Sequence, residues 1–445
     1  MKIISSYKIK IKHYNNIFQD TVSIYQEALS FFTDVCDKEW DTIKEVKGKY
    51  RKTYVESITH KTDIHSEIKY DFDKDFYKFP AYLRRAAIQA ALGAVSSYNT
   101  SLANWDGTGK PPRLTVDHNE MPVFYKSQGG SYIRLDRNHA QLKIYHRNDW
   151  VWLDIELKEQ DVKYIERHCL ALNEMSPKLK RKGKQWYLTF PYVKYQKLTD
   201  VKDGAICAVD LGINNNATCS IMYPDGTVVA RLFINLATEK DHLYKALGRL
   251  KKVQSLGARK TPVKWKHVND LNTDISRKTA KAIMEFAILH SAQVIVFEYL
   301  DTSGKKRGAN KQRLHLWRKR EIQRIVEHNA HRNGMRYSRV CAWGTSRLAF
   351  DGSGRVTRGK YIKNGKEVNN YSMCIFPSGK EYNCDLNASY NIGARYHIRE
   401  LLKSEPAMAR LPDETKVSRY GTGTTRTLST LIRLYADVLD SSKAV

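Results

Sequence analysis

The sequence predicts an α+β chain of several domains, and three observations carry that expectation. The opening residues alternate. Ile3, Tyr7, Ile9 and Ile11 fall on one side, and Ile4 with Lys2, Lys8, Lys10 and Lys12 on the other, which is the period of a strand with one buried face. Residues 17–104 instead repeat Val22, Tyr25, Ala28, Leu29 and Phe32 at helical spacing. Further on, Ala205–Leu211 and Val294–Tyr299 are nearly continuous apolar runs, the mark of strands covered on both faces. A chain of 445 residues holds two to four domains at roughly 150 residues each.

The elements follow in order. Phe79-Pro80-Ala81 opens a helix over Tyr82–Tyr98, with proline near its first turn. The stretch Asp106–Pro112 is a break. Short strands are predicted at Pro122–Tyr125, Ser131–Leu135, Ala140–His146, Val151–Leu157 and Trp186–Val193, as in a small barrel or sandwich. Within them, Lys178–Lys184 reads as a basic hairpin tip, either a solvated turn or a phosphate contact. Lys202-Asp203-Gly204 marks a boundary. The turn Pro224-Asp225-Gly226 joins Ala217–Tyr223 and Thr227–Ile234 into a hairpin. One helical stretch is expected from about 238 to 291, then the strand Val294–Tyr299. A basic helix, Gln312–Arg332, and a strand, Met335–Ala342, come next. Residues 344–383 are Gly-rich, polar and poorly periodic. Leu386–Leu402 is helical, and the tail after Ser404 ends in a short amphipathic helix.

Composition narrows the partners. There are 75 Lys and Arg against 47 Asp and Glu, a formal net charge of +28, beside 27 Tyr, 13 Phe and 8 Trp. Cations release counterions from phosphates and aromatic faces stack bases, so nucleic acid is favoured over plain solubility or a membrane surface. No apolar run approaches the ~18 residues of a membrane span. The opening Met-Lys-Ile-Ile-Ser-Ser has no apolar core of a secretory signal. Seven scattered cysteines fit free thiols in a reducing cytosol.

Three carboxylates stand out against this basic chain. Asp210 ends the apolar run Ala205–Val209, Glu298 ends Val294–Phe297, and Asp385 precedes the helix that begins near Leu386. A carboxylate in an apolar strand is costly unless it is paired or holds a metal. Each has a bland alternative: a turn residue for Asp210, a lysine pair for Glu298, an N-cap for Asp385. Taken together, the order strand-Asp, hairpin, helix, strand-Glu, late helix-Asp is the layout of a ribonuclease-H-like domain. Such a sheet brings the three acids to one edge, where hard oxygen ligands suit Mg²⁺ or Mn²⁺.

The motifs carry a family resemblance. Ala-Val-Asp210-Leu-Gly-Ile-Asn-Asn-Asn-Ala-Thr, Val-Ile-Val-Phe-Glu298-Tyr-Leu and Asp385-Leu-Asn-Ala-Ser-Tyr-Asn-Ile-Gly-Ala resemble the three RuvC motifs of transposon-encoded TnpB nucleases and of the miniature type V CRISPR effectors. Lys2–Lys12 and Trp186-Tyr187-Leu-Thr-Phe resemble the family's opening strand and the strand before its nuclease domain. The resemblance implies a RuvC-like nuclease domain (204–340 and 384–403) and a β-barrel wedge domain (1–15 and 105–203). It also implies a helical recognition lobe inserted in the wedge (16–104), a target-binding insertion in the place of a zinc ribbon (341–383) and a C-terminal tail (404–445). It implies an RNA-guided DNA endonuclease of the prokaryotic cytoplasm, associated with the nucleoid. Such a protein has guide RNA and target double-stranded DNA as partners, and Asp210, Glu298 and Asp385 as catalytic ligands of two Mg²⁺ ions. A homodimer stands beside a monomer as an alternative, because the chain is small against a full heteroduplex.

The sequence departs from the pattern at the zinc ribbon. Cys341, Cys374 and Cys384 are there, but neither Cys-x-x-Cys pair, and only His397 could make up a fourth ligand, so no zinc is expected. Two basic runs flank the proposed catalytic strands. Arg249–Lys281 holds ten cations and Lys305–Arg336 eleven, with Trp265, Trp317 and Tyr337 interleaved. From them Lys251, Lys252, Lys264, Lys266, Arg277, Arg318, Arg320 and Arg324 are candidates for backbone contact, with Arg84 and Arg85 as candidates in the recognition lobe. The rival readings are an RNA-guided DNA binder that does not cut, and a structure-selective nuclease without a guide.

Overall fold

The computed structural model describes residues 1–13, 16–62, 67–116, 120–126, 129–169, 172–201, 204–258, 260–299, 318–363, 366–404 and 425–443. The chain divides into two compact units, Lys2–Lys194, and Met1 with Tyr195–Val445. No described helix is long and apolar enough to cross a membrane.

In the Lys2–Lys194 unit, the opening alternation becomes β1 (Lys2–Lys10), with Ile3 and Ile9 buried and Ile4 exposed. The helical region is five helices rather than one run: α1 (Gln19–Lys38), α2 (Trp40–Glu45), α3 (Arg51–Thr59), α4 (Phe72–Asp75) and α5 (Ala81–Ala103). Pro80 precedes α5 and cannot continue a helix behind it. Phe32, Phe72 and Phe76 stack in series, at 4.7 and 4.6 Å between ring centres, and clamp the short α4 against α1.

The strands that follow form two sheets. β2 (Tyr132–Arg134), β3 (His139–His146) and β4 (Asp149–Glu156) make an antiparallel meander. In the other sheet, β7 (Gln185–Tyr195) has β1 on one edge, and β5 (Asn173–Glu174) and β6 (Lys178–Lys182) both pair with β7. Ile9, Leu142, Ile144, Ile155, Trp186, Leu188 and Phe190 share one core. Two expectations are corrected here. Pro122–Tyr125 is not a strand, since Val123 makes only an isolated bridge to Lys178 and Pro122 has no N–H to give a ladder. A helix missing from the sequence reading, α6 (Glu159–Cys169), follows β4 and buries Val162, Ile165 and Cys169. The basic Lys178–Lys184 segment is β6 with its turn, and Gly183 takes a left-handed φ of 59° there.

The other unit is built on a five-stranded sheet of order β10-β9-β8-β11-β12, from β8 (Ile206–Asp210), β9 (Ala217–Met222), β10 (Val228–Ile234), β11 (Val294–Tyr299) and β12 (Arg336–Cys341). β8, β9 and β10 are antiparallel neighbours, whereas β8, β11 and β12 run parallel. Cys207, Val209, Ile295 and Phe297 pack with α8 (Pro262–Leu289) and α9 (Lys319–Arg332). Ile206, Ala208, Val294 and Val296 pack with α10 (Cys384–Ser404) and α11 (Leu428–Lys443). Burial on both faces is why these strands read as unbroken apolar runs.

The helical stretch expected over 238–291 is two helices, α7 (Ala237–Ser255) and α8. Gly257 turns between them at φ 87° and Pro262 starts α8. The poorly periodic stretch 344–383 contains an antiparallel sheet, β13 (Thr357–Lys363), β14 (Lys366–Ile375) and β15 (Glu381–Asn383). Residues 301–317, which include Lys305 and Trp317, lie outside the described residues, as does most of the tail before Thr425.

Candidate active site

Asp210 is the last residue of β8, and the parallel ladder sets Val209 opposite Phe297. Asp210 and Glu298 therefore stand at the same level of adjacent strands, one residue beyond that pair. Helix α10 supplies the third acid. Its first two free N–H groups, on Asp385 and Leu386, both donate to Asn383 Oδ1 at 3.0 Å. Asn383 is thus the capping side chain, and the alternative of Asp385 as N-cap falls away. One turn later, Ser389 Oγ donates to the Ala208 carbonyl at 3.0 Å, which ties α10 to β8 just below Asp210. At Gly393 a Cβ would stand 3.2 Å from that of Ala208 and 2.9 Å from Met222 Sδ, so glycine lets the helix lie close on the sheet.

The electrostatics bring the three acids into one field. Burial raises the Asp210 pKa well above its ordinary value, and the charges of Glu298 and Asp385 raise it further, with Arg358 opposing. Glu298 is buried and raised for the same first reason, while Thr345, Lys319 and Arg395 pull it back. Glu298 Oε2 accepts from Thr345 Oγ1 at 2.9 Å, and Asp385 Oδ2 accepts from Asn215 Nδ2 at 2.8 Å. Gln323 Nε2 donates to the Glu298 backbone carbonyl at 3.1 Å. Among the described residues, no three His, Cys, Asp or Glu side chains form a ready-made metal cage. Glu298 and Asp385 each face a neutral donor of their own. The donor set, all carboxylate oxygen with like charges held together, fits a hard divalent cation.

Sequence reasoning missed the supporting shell. Lys319 and Arg395 are buried beside Glu298, and Arg358 on β13 faces Asp210. Asn215 carried a signal, since Gly212 and three asparagines follow Asp210. A Cβ at Gly212 would lie 2.7 Å from the Asn215 carbonyl, so that turn is tight and returns Asn215 toward α10.

The basic candidates separate into two kinds. Lys251 and Lys252 on α7, and Lys264, Lys266 and Arg277 on α8, are exposed. Arg320 and Arg324 are exposed on α9, where Arg324 also pairs with Glu321 at 2.8 Å. Arg318 is half-buried and donates to Thr273 Oγ1 at 2.6 Å and Asn269 Oδ1 at 2.9 Å, which fastens α9 to α8. Arg84 is corrected: it is 6% exposed and ion-paired to Glu56 at 2.8 Å, a packing role that removes it from any surface contact. Arg85 is exposed and binds the other Glu56 oxygen at 2.9 Å.

Of the weak zinc candidates, Cys374 and Cys384 are buried together and Cys341 is exposed. Their mutual thiol hydrogen bond raises Cys374 and lowers Cys384. His397 is no fourth ligand. It is buried, its Nε2 faces the Met222 carbonyl at 3.3 Å, and burial lowers its pKa to about 4.

With this geometry in hand, relatives can be compared. A family model, the Aq_aa04 family, matches residues 5–146. The TnpB-like protein aq_aa05 of Aquifex aeolicus (strain VF5) is 27% identical over 175 residues, 34% of this chain and 56% of that protein. The chain is a distant homologue of a TnpB-like protein. The match spans little more than half of that relative's length. In fold, the chain is similar to a Cas12f1 solved with single-guide RNA and target DNA, at TM-score 0.50 and 14% identity over 88% of this chain and 99% of that one. It is also similar to the mini-RNA-guided endonuclease CRISPR-Cas_phi3, at TM-score 0.53 and 10% identity over 89% and 92%. At these identities the likeness is one of fold: a mixed α+β, multi-sheet chain like type V effectors.

Proposed function

We propose that the chain is an RNA-guided DNA endonuclease with a single RuvC-like centre at Asp210, Glu298 and Asp385. The observation that carries this is the convergence of the three acids: the Asp210 carboxyl lies in the field of both others, at the ends of two adjacent parallel strands. The proposed nuclease domain is 204–340 with 384–403, and the sheet order β10-β9-β8-β11-β12 supports a ribonuclease-H-like fold. The proposed wedge is a β-barrel over 1–15 and 105–203, around a recognition lobe over 16–104. Residues 341–383 are proposed as the target-binding insertion and 404–445 as the tail.

Divalent ions, Mg²⁺ or Mn²⁺, when bound supply positive charge at the scissile phosphate and acidify the attacking water. Asp210, Glu298 and Asp385 hold them, while Asn215 and Thr345 orient two of those carboxylates. Arg358, Lys319 and Arg395 offset the gathered negative charge. The exposed cations of α7, α8 and α9 contact the backbones of guide RNA and target DNA without reading sequence. Base pairing with the guide selects the target, and a short adjacent duplex motif is read by the protein.

A second reading is a guide-directed DNA binder that does not cut, and the missing Cys-x-x-Cys pairs of the zinc-ribbon region favour it. One experiment separates the two. The chain, loaded with RNA from its own locus, is given matching target DNA and Mg²⁺ or Mn²⁺. Cleavage that disappears in Asp210→Ala, with target binding intact, supports the nuclease. Binding with no cut under either metal supports the binder.

A further inference from the structure

A pocket of about 410 Å³ opens beside Glu298, lined by Tyr299, Arg320, Gln323, Arg324, Glu327, Tyr337 and Arg339. Its size falls within the range of small-ligand sites, about 300–1,000 Å³. Three elements build it. Arg320, Gln323, Arg324 and Glu327 recur at i, i+3, i+4 and i+7, and so form one face of α9. Tyr337 and Arg339 alternate onto one face of β12. Tyr299 ends β11, directly after Glu298, and is 57% exposed.

The lining has a particular chemistry. The Arg339 guanidinium stands over Tyr299 at 5.6 Å and over Tyr337 at 5.7 Å, which pins both rings beside a cation. Arg320, Arg324 and Arg339 line it with Glu327, and Arg324 is also bound to Glu321, which leaves the lining net positive and favours an anion. Tyr337 is half-buried against Phe297, and its burial pushes its pKa up to about 12, leaving a neutral phenol as donor. Gln323 is buried and its Nε2 donates to the Glu298 backbone carbonyl, so β11 is the wall between the pocket, on its α9 face with Phe297 and Tyr299, and the acids, on its α10 face. A cation cluster alone would suit any polyanion. An exposed tyrosine with arginine over one face adds its other face for an unpaired base.

We propose that this pocket holds one unstacked nucleotide of the single-stranded DNA being cut, with its base on Tyr299 and its phosphate among Arg320, Arg324 and Arg339. The assignment to the cut strand rests on the reading of Glu298 as part of a DNA-cutting centre. Holding a nucleotide of that strand there would restrain where the scissile phosphate lies relative to the acids.

The test is binding by the full chain in EDTA, where nothing is cut, of a fluorescein-labelled deoxyadenosine decamer, followed by anisotropy. The control is an abasic decamer of equal charge. Tyr299→Ala is expected to weaken the DNA decamer by about tenfold, the scale of one lost base–aromatic stack, and Tyr299→Phe by less than about twofold. The abasic decamer should bind Tyr299→Ala as it binds the unsubstituted chain, while Arg339→Ala weakens both decamers. The proposal is overturned if Tyr299→Ala leaves DNA binding unchanged or if it weakens the abasic decamer equally. Unfolding temperatures check that each exposed-site variant is folded. A chain that never cuts with Mg²⁺ yet shows this pattern loses the nuclease reading and keeps the pocket.

Discussion

Asp210 carries the largest electrostatic cost in the molecule's acid site. Its pKa is raised in the folded state, so the ionised form is penalised by folding; the penalty starts to shrink as pH falls through that raised value and is gone only below the ordinary value of an unfolded carboxyl. Asp210→Asn should therefore stabilise the metal-free chain at neutral pH, by about 2–4 °C for each kcal/mol relieved. The gain should shrink as the pH is lowered, which thermal unfolding in EDTA at two pH values would show. Thr345 acts in the opposite sense on Glu298, since its hydroxyl favours the carboxylate. Thr345→Val should raise the Glu298 pKa and move the acid limb of the pH–rate profile upward. Asn215→Ala should lower metal affinity or cutting by about 10–100-fold, the scale of lost outer-shell support, and leave target binding unchanged. The three acids were legible in the sequence because a charge in an apolar strand is anomalous. Asn215, Thr345, Lys319 and Arg395 were not, because each meets the site only after distant segments are brought together. Arg84 shows the converse: two adjacent arginines look alike in sequence and both pair with Glu56, and only burial distinguishes them.

At the scale of elements, α10 decides where Asp385 stands. It is held by the Asn383 cap, the Ser389 bond to β8 and the close approach at Gly393. Gly393→Val would meet Ala208, which cannot move aside. A cost of about 1–3 kcal/mol is expected from overpacking, with cutting reduced as Asp385 is lifted from Asp210. Denaturant unfolding and a cleavage assay on the same variant would measure both. The buried strands were legible because burial on both faces leaves an apolar run. The break between α7 and α8 was missed, although Gly257 and Pro262 mark it, because both flanking helices keep the same amphipathic period. The sheet over 357–383, read only as a loop or hairpin, was blurred for a physical reason too. Its strands are rich in Lys, Asn and Gly, and a register shift at Arg358–Gly359 breaks the alternation that strand reading depends on.

At the scale of the whole molecule, two compact units with separate cores imply separable stability. Calorimetry should resolve two unfolding transitions, of which Asp210→Asn and added Mg²⁺ shift only one, because ligands stabilise only the unit that binds them. The strongly basic composition is explained if one acidic point does the cutting while many exposed cations hold two nucleic acids around it. The measurement that tests this most directly is cleavage of target DNA by the RNA-loaded chain with Mg²⁺, comparing the unsubstituted protein with Asp210→Ala. The expected result is cutting by the former and a loss of about 10³-fold or more in the latter, with target binding retained. Equal cutting by both would contradict the account.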